Sequence, residues 1–307
     1  MKKAYYPFCI QIELVQGCNR DCEFCATRGL EKKFYYASAE TLAHTARLLQ
    51  NFGYKGRILL AMHGEPTLHP HVAECIEILR RRLPDVLMVM FTNGIMVLRK
   101  PELLEKMFKA GLDTIMFDEY TDSLIGEQVM KIPGIQRHKV EILKPGVHIF
   151  ERSGRKRVLI APPIDGKFEV MSRKLNNHAG VGMKPTAEPL KKPCSEIFRD
   201  FAVRWDGGIA LCCNDFRGEY PVTNIMKCKT FEQAYYHPRI EAARRRLMQK
   251  DRAFNPCAKC SSLPIRPGLL PDKAGQMKMP LPTEEDIRIT EEKHEPMAVI
   301  RKREWEK

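Results

Sequence analysis

No apolar run in this chain of 307 residues approaches the ~20 needed to span a bilayer, so no transmembrane helix is expected. The first residues, Met1-Lys2-Lys3-Ala4-Tyr5-Tyr6-Pro7, contain neither an apolar core nor a small-residue cleavage site, which argues against a secretory signal. There is no internal repeat. Net charge is missing from one region: residues 261–307 hold nine Lys/Arg and nine Asp/Glu. The whole +13 therefore sits on residues 1–260, as 42 basic against 29 acidic side chains. A body this basic attracts anionic partners such as phosphates, nucleic acid or acidic peptide. What is present is an ordinary globular composition, 44% hydrophobic and 29% charged. The length suits one large domain, or a large one and a small one. Eleven cysteines remain to be explained. The expected compartment is the reducing cytoplasm, where so many cysteines read as metal ligands rather than disulfides.

Up to about residue 180, strand-like and helix-like segments alternate, the pattern of a βα repeat with a parallel sheet. Strands are predicted over 8–14, 57–62, 86–92 and 114–117, and helices over 38–50, 71–83 and 101–109. Ser38 is placed to cap the first helix, Leu42, Ala46 and Leu49 share one face, and Gly53 lies just past its end. Val72, Ile76, Leu79 and Leu83 form the stripe of the second. The pattern then weakens into a short helix over 122–130, strands over 147–152 and 157–161 joined through Ser153-Gly154, and a strand over 168–171. Prolines at 185, 189 and 193 mark a linker into a second, cysteine-bearing unit. There Thr230 and Gln233 form a capping-box pattern before a helix that Pro238 interrupts, and 239–249 is again helical. Residues 261–307 carry six of the 21 prolines and no periodicity, so an extended or partly disordered tail is expected.

Immediately after the first strand comes Gly17-Cys18-Asn19-Arg20-Asp21-Cys22-Glu23-Phe24-Cys25. Three thiolates spaced C-x3-C-x2-C on one loop can hold three irons of a four-iron cluster, leaving the fourth iron open for chemistry. A zinc site wants four ligands, usually from two C-x2-C pairs. Pairing Cys22 and Cys25 with Cys257 and Cys260 supplies such a ribbon but leaves Cys18 without a role.

On these residues the chain resembles the radical S-adenosylmethionine (SAM) enzymes, whose signature is C-x3-C-x-aromatic-C, with Phe24 in the aromatic place. The resemblance continues in His63-Gly64-Glu65-Pro66 after the second strand, similar to the family's G-G-E-P, where His63 departs from the first glycine. It extends to Thr92-Asn93-Gly94 after the third strand and Asp118 after the fourth. The resemblance implies that Gly64, Glu65, Pro66, Thr92, Asn93 and Asp118 hold SAM, with Glu65 at its amino group and Asp118 at the ribose. Each of these segments is also an ordinary turn former. Their placement favours a site, because loops after successive strands share the C-terminal face of a barrel. The implied reaction is reductive cleavage of SAM to methionine and a 5′-deoxyadenosyl radical.

A second constellation comprises Cys194, Gly207, Cys212 and Cys257-x2-Cys260. Four cysteines close a full coordination shell, as a cluster that transfers electrons or positions substrate requires; they suit a zinc knuckle too. The spacing C-x12-G-x4-C followed by C-x2-C resembles the twitch domain, the short relative of the SPASM domain. No cysteine follows Cys260, so a second auxiliary cluster is not expected. Cys9 and Cys75 read as packed residues, and Cys228 has no assigned role. Cys213 is a candidate to replace Cys212 or to donate a hydrogen atom, and Asp215 a candidate base or turn residue. Arg173, Asn176, Asn177 and His178 are candidates to face substrate, or a satisfied loop cluster. Basic triplets stand at Arg80-Arg81-Arg82, ending a helix, at Arg155-Lys156-Arg157 in a loop, and at Arg244-Arg245-Arg246 on the solvated side of a helix.

The expected fold is α/β: a partial (β/α)6 TIM-type barrel over 1–185, a small α+β iron–sulfur (twitch) domain over 186–262, and a Pro-rich charged tail over 263–307. By the resemblance, the cofactors are SAM and two [4Fe-4S] clusters, one on Cys18, Cys22 and Cys25 and one on Cys194, Cys212, Cys257 and Cys260. The expected partners are an external flavodoxin- or ferredoxin-like electron donor and DNA or another anionic substrate, without a membrane. Charge favours a modified nucleotide or DNA base, isomerised or oxidised after hydrogen abstraction. A peptide or protein residue and a small alcohol are alternatives. Only seven residues precede the first strand, so no leader-peptide-binding domain is expected there. From a different class, a non-enzymatic zinc or iron–sulfur protein that binds nucleic acid would neither bind SAM nor release deoxyadenosine.

Overall fold

Apolar residues alternate along the strands and sort the core onto two sides of one sheet. The computed structural model describes residues 7–31, 33–119, 125–143, 157–161, 176–182, 184–262, 268–270 and 277–279. Its strands are β1 (Cys9–Ile12), β2 (Arg57–Leu59), β3 (Leu87–Thr92), β4 (Thr114–Asp118), β5 (Lys139–Ile142), β6 (Arg157–Ala161), β7 (Asp200–Val203) and β8 (Ile209–Ala210). They lie in the order β8-β7-β1-β2-β3-β4-β6-β5. Every pairing is parallel except that of β7 with β8.

Ile10, Ile12, Ile58, Met88, Met90, Ile115, Phe117, Val158 and Ile160 face one way, into a core shared with Leu42, Leu49, Ile76, Leu79 and Leu104. Those partners come from α1 (Ala39–Phe52), α2 (Val72–Arg82) and, after the short α3 (Ile95–Arg99), α4 (Glu102–Ala110). Each such side chain contributes roughly 1.5–3 kcal/mol on full burial. Cys9, Leu59, Val89, Met116 and Leu159 face the other way and form a second cluster. By the same parity Gln11 and Asp118 belong to this inner side, which leads to the C-terminal strand ends.

The local signals explain the first helix. Ser38 Oγ accepts from the Thr41 N–H at 3.1 Å, and Gly53 closes the helix at φ 74°, a left-handed conformation glycine adopts without strain. Beyond α5 (Ile125–Met130) and α6 (Glu196–Arg199), the second unit holds α7 (Phe231–Tyr235) and α8 (Pro238–Met248). Thr230 Oγ1 caps α7 by accepting from Gln233 N–H, while the Gln233 side chain accepts from Lys229 N–H rather than from Thr230. The second unit does not fold apart from the barrel: β7 pairs along the whole of β1 and continues its sheet.

Four features differ from the sequence expectation. The helix α3 follows Gly94 directly and was not foreseen, because five residues show no periodicity. Strand β5 was missed because it is a four-residue edge strand whose residues are all exposed or half-buried. Arg244, expected on a solvated face, is fully buried. In the tail, Gly268–Leu270 pairs antiparallel with Met277–Met279. The predicted strands at 147–152 and 168–171, Arg155, Lys156 and Arg173 lie outside the described residues. Among the described residues, no helix is long and apolar enough to cross a membrane.

Candidate functional site

The first cysteine loop is stitched to the loop after β2 by backbone contacts that need glycine. Gly17 N–H donates to His63 C=O at 3.3 Å, and Glu65 N–H donates to Gly17 C=O at 2.9 Å. A Cβ on Gly64 would stand 2.3 Å from Val15 O and 2.4 Å from Gly17 O, so the two chains approach closely only because residue 64 has no side chain. Beside this seam opens a cavity of about 170 Å³. Cys18, Cys22, Cys25, Arg20 and Phe24 line it from one side, and Gly64, Glu65, Phe91, Thr92, Asn93 and Asp118 from the ends of β2, β3 and β4. Pro66 is buried at the start of the next turn and shapes the loop without lining the cavity.

Glu65 organises these loops. Its Oε1 accepts from Thr67 N–H at 3.0 Å, from the Thr67 hydroxyl at 2.5 Å and from the Thr92 hydroxyl at 2.7 Å; its Oε2 accepts from Asn93 N–H at 2.7 Å. Burial pushes its pKa up, and these hydrogen bonds oppose the rise. Oε2, with one bond, retains acceptor capacity. Asn93 in turn donates from Nδ2 to Asn19 Oδ1 at 2.9 Å and to Cys18 Sγ at 3.5 Å. Thr67 and Asn19 carried no sequence signal beyond their neighbours.

The first three cysteines suit thiolate ligands. Their sulfurs already receive donors: Arg20 N–H and Asn93 Nδ2 at Cys18, and the Thr27 hydroxyl at Cys25, 3.1 Å away. As free thiols Cys18 and Cys22 resist ionising, chiefly because they are buried. Burial first, then the nearby Glu65, Cys25 and Cys22, push Cys18 up to about 11, against the Arg20 N–H. Bound iron would stabilise the thiolates and reverse that cost.

The other four come together from across 66 residues of chain. Cys212 is raised by burial and then by Cys213, Cys257, Cys260 and Cys194, which identifies its neighbours. Ser262 N–H and the backbone of Ala179 donate to Cys260. Cys213 turns elsewhere: its Sγ reaches Glu196 Oε1 at 3.6 Å, beside Gln11 and Asp200. Cys212, and not Cys213, is the one raised by Cys194, Cys257 and Cys260. Among the described residues, no three His, Cys, Asp or Glu side chains converge on a single-ion site.

Asp215 is buried and accepts from Glu219 N–H at 2.7 Å and Tyr220 N–H at 3.3 Å, so it holds its own turn rather than facing the cavity. Asn177 is likewise structural, bonded to Lys184, Lys259 and Ser261. His63, the departure noted in the sequence, is fully buried; Nε2 lies 3.0 Å from Cys213 O and Nδ1 3.0 Å from Glu13 Oε1. The second contact is an ion-pair distance off the hydrogen-bond line.

Two family profiles match the chain: the Radical SAM superfamily over residues 12–161, and an iron-sulfur cluster-binding domain, SPASM, over 194–261. A probable GTP 3',8-cyclase of Saccharolobus islandicus (strain M.14.25 / Kamchatka #1) is 33% identical over 127 residues, 41% of this chain. That match spans 38% of the relative's length. The same protein from strain M.16.27 matches equally. Among solved structures, BtrN in complex with AdoMet and 2-DOIA superposes with a TM-score of 0.65 at 16% identity, covering 84% of this chain and 94% of BtrN. BtrN in an open conformation gives 0.57 at 15% identity, with coverages of 85% and 94%. These likenesses establish the fold. The two matched domains imply SAM and [4Fe-4S] clusters as cofactors.

Proposed function

Because this chain belongs to the radical SAM superfamily and carries a SPASM-type iron–sulfur domain, we propose that it abstracts a hydrogen atom from a carbon of a small nucleotide-type substrate. The observation that carries this reading is the convergence of Cys18, Cys22 and Cys25 with Glu65, Thr92, Asn93 and Asp118 on one cavity. With SAM and the reduced cluster bound there, the site supplies a 5′-deoxyadenosyl radical. The chain's own residues do the rest. Cys18, Cys22 and Cys25 hold iron, and the donors at Cys18 and Cys25 favour the thiolate. Gly64 keeps the seam with Gly17 closed beside the cavity, Glu65 would offer Oε2 to the methionine ammonium, and Asp118 would face the ribose. Cys194, Cys212, Cys257 and Cys260 hold the auxiliary cluster, within a division at 1–185, 186–262 and 263–307.

A nucleotide is supported by the basic body and by the name of the curated relatives, GTP 3',8-cyclases. Duplex DNA is not advanced. Arg244 is buried, and Arg80 spends its guanidinium on Gly111, Leu83, Pro84 and Val86 carbonyls and on Asp113. Arg157 is buried as well and pairs with Glu141, at the start of a strand rather than in the expected loop, so each of the three basic triplets loses a charge to the interior. The electron comes from an external reductant.

The test is anaerobic incubation with SAM and dithionite, reading 5′-deoxyadenosine by mass spectrometry. Ribonucleotides and deoxyribonucleotides, a short duplex, a mixed peptide pool and polyols are added in turn. Mononucleotides are expected to raise release. No deoxyadenosine from iron-loaded protein would sink the radical reading, and stimulation confined to peptides or polyols would move the substrate class.

A further inference from the structure

The loop of Cys212 and Cys213 is gripped from two directions by histidines that belong to the first site's side of the molecule. His63 stands next to Gly64, so its backbone is part of the seam with Gly17. Its side chain leaves that seam and reaches Cys213 O at 3.0 Å, one residue from Cys212. Glu13 backs the ring at 3.0 Å and also accepts from Trp205 N–H at 3.1 Å, so the pair is anchored in both units. The His63 ring packs on Phe216 with centroids 4.1 Å apart. His178 closes on the same Phe216 ring edge-on at 5.1 Å and meets Asn214 Oδ1 at 3.2 Å.

The segment carrying His178 touches both cysteine sets. The backbone of Ala179 donates to Cys260. Gly182 lies against the first loop, where a Cβ would stand 2.7 Å from Phe24 O and 3.0 Å from Ala26 N. His178, Ala179 and Gly180 run at φ 47°, 55° and 78°, a left-handed turn that two non-glycine residues adopt only when the surroundings impose it. The Asn177–Ser261 pair imposes it, with hydrogen bonds of 2.8 Å in each direction.

We propose that His63 and His178, closing on Phe216, are positioning residues that join the SAM loop and the auxiliary ligand loop into one body, so that each cofactor's binding depends on the other. The proposal rests on the reading of the two cofactor sites above. Thermodynamic coupling between sites is reciprocal, so it is measurable from the SAM side alone. A displaced 212–216 loop would pull on His63, and through it on Gly64 and the seam with Gly17. Packed contacts of this kind shift as a unit, because a close-packed interior has little slack.

The experiment is a double-mutant cycle on SAM affinity, measured by calorimetry on anaerobic protein. Cys257→Ala/Cys260→Ala removes the auxiliary ligands, and His63→Gln removes the clamp while keeping a polar side chain. In the wild-type background, losing the auxiliary ligands is expected to weaken SAM binding by about tenfold, inside the usual range for coupled sites. In the His63→Gln background the same loss should change affinity by less than about twofold. Phe216→Leu, which keeps an apolar side chain between the histidines, should behave like His63→Gln if that variant folds poorly. Amide exchange over 212–216 should slow when SAM binds to the wild type and not to either variant. Equal effects of auxiliary loss in both backgrounds, or unchanged exchange at 212–216, would overturn the clamp while leaving SAM binding intact. Absence of SAM binding by the iron-loaded wild type would overturn the site reading and the clamp with it.

Discussion

The Thr92 hydroxyl donates to Glu65 Oε1 at 2.7 Å, tying the loop after β3 to the loop after β2. Glu65 is therefore a loop organiser before it is a ligand. Glu65→Gln should lower both thermal stability and SAM affinity. Whichever way the new amide turns, its NH2 faces a backbone N–H, of Thr67 or of Asn93. An unmet buried donor costs about 1–3 kcal/mol. Melting curves and calorimetry on the same preparation check it; a loss of SAM affinity at unchanged stability would show that other contacts hold the loops.

The cysteines should separate into two sets, each ligating its own cluster. Anaerobically reconstituted protein should hold about eight irons, and replacing Cys18, Cys22 and Cys25 by Ala should leave about four. Cys212→Ser should remove the auxiliary cluster, whereas Cys213→Ser should keep both, because Cys213 faces Glu196 and not the other thiols. Iron analysis with absorption and electron paramagnetic resonance spectra distinguishes these outcomes. Stoichiometric zinc in any of the preparations would contradict them.

Arg244 is a folding residue. Its guanidinium bonds Ile197 O at 2.9 Å and Tyr235 O at 3.0 Å, pairs with buried Glu241 and lies 4.1 Å from the Tyr235 ring centroid. Arg244→Met should cost about 3–5 kcal/mol by leaving the Glu241 carboxylate uncompensated. Adding Glu241→Leu should recover much of that loss. Arg81, exposed and paired with Glu77, should tolerate Met within about 1 kcal/mol. Denaturant titrations of the four proteins give the comparison.

One helix start is acid-sensitive. His237 caps α8 by accepting the Arg239 N–H at Nδ1, which requires that nitrogen unprotonated. Burial and then the Arg239 charge lower its pKa from 6.5 to about 4. Between those values the unfolded chain binds a proton that the native one does not, so stability rises with pH across the window. The contribution is complete above the unfolded pKa and is lost as pH falls through about 4. His237→Asn keeps an accepting oxygen and should flatten the pH dependence of the melting temperature across that window.

What could be read in advance was whatever lies within one short stretch of chain. Cys18, Cys22 and Cys25 occupy a single loop, so their spacing states their chemistry without long-range folding. Ser38, the stripe of Leu42, Ala46 and Leu49, and Gly53 define α1 for the same reason, since a cap and a periodic face are local properties. The alternating strands foretold a parallel sheet, and the loops after them a common site face. Short edge elements carry no such local signal: β5 buries too little to leave a pattern.

Burial and partnership were decided only in three dimensions. Sequence periodicity places Arg244 on a helix, but the carbonyl of Ile197, 47 positions away, makes that face interior. Cys212 and Cys213 are neighbours in sequence, and only the packing against Cys257 and Cys260 on one side and Glu196 on the other separates them. Asp215 read as a base or a turn residue, and the turn it closes occupies its oxygens. His63 read as a substituted glycine, and the fold gave it Glu13 from one segment and Cys213 and Phe216 from another. A polar side chain's role follows from the groups that replace its water, and those arrive from parts of the chain that spacing does not join.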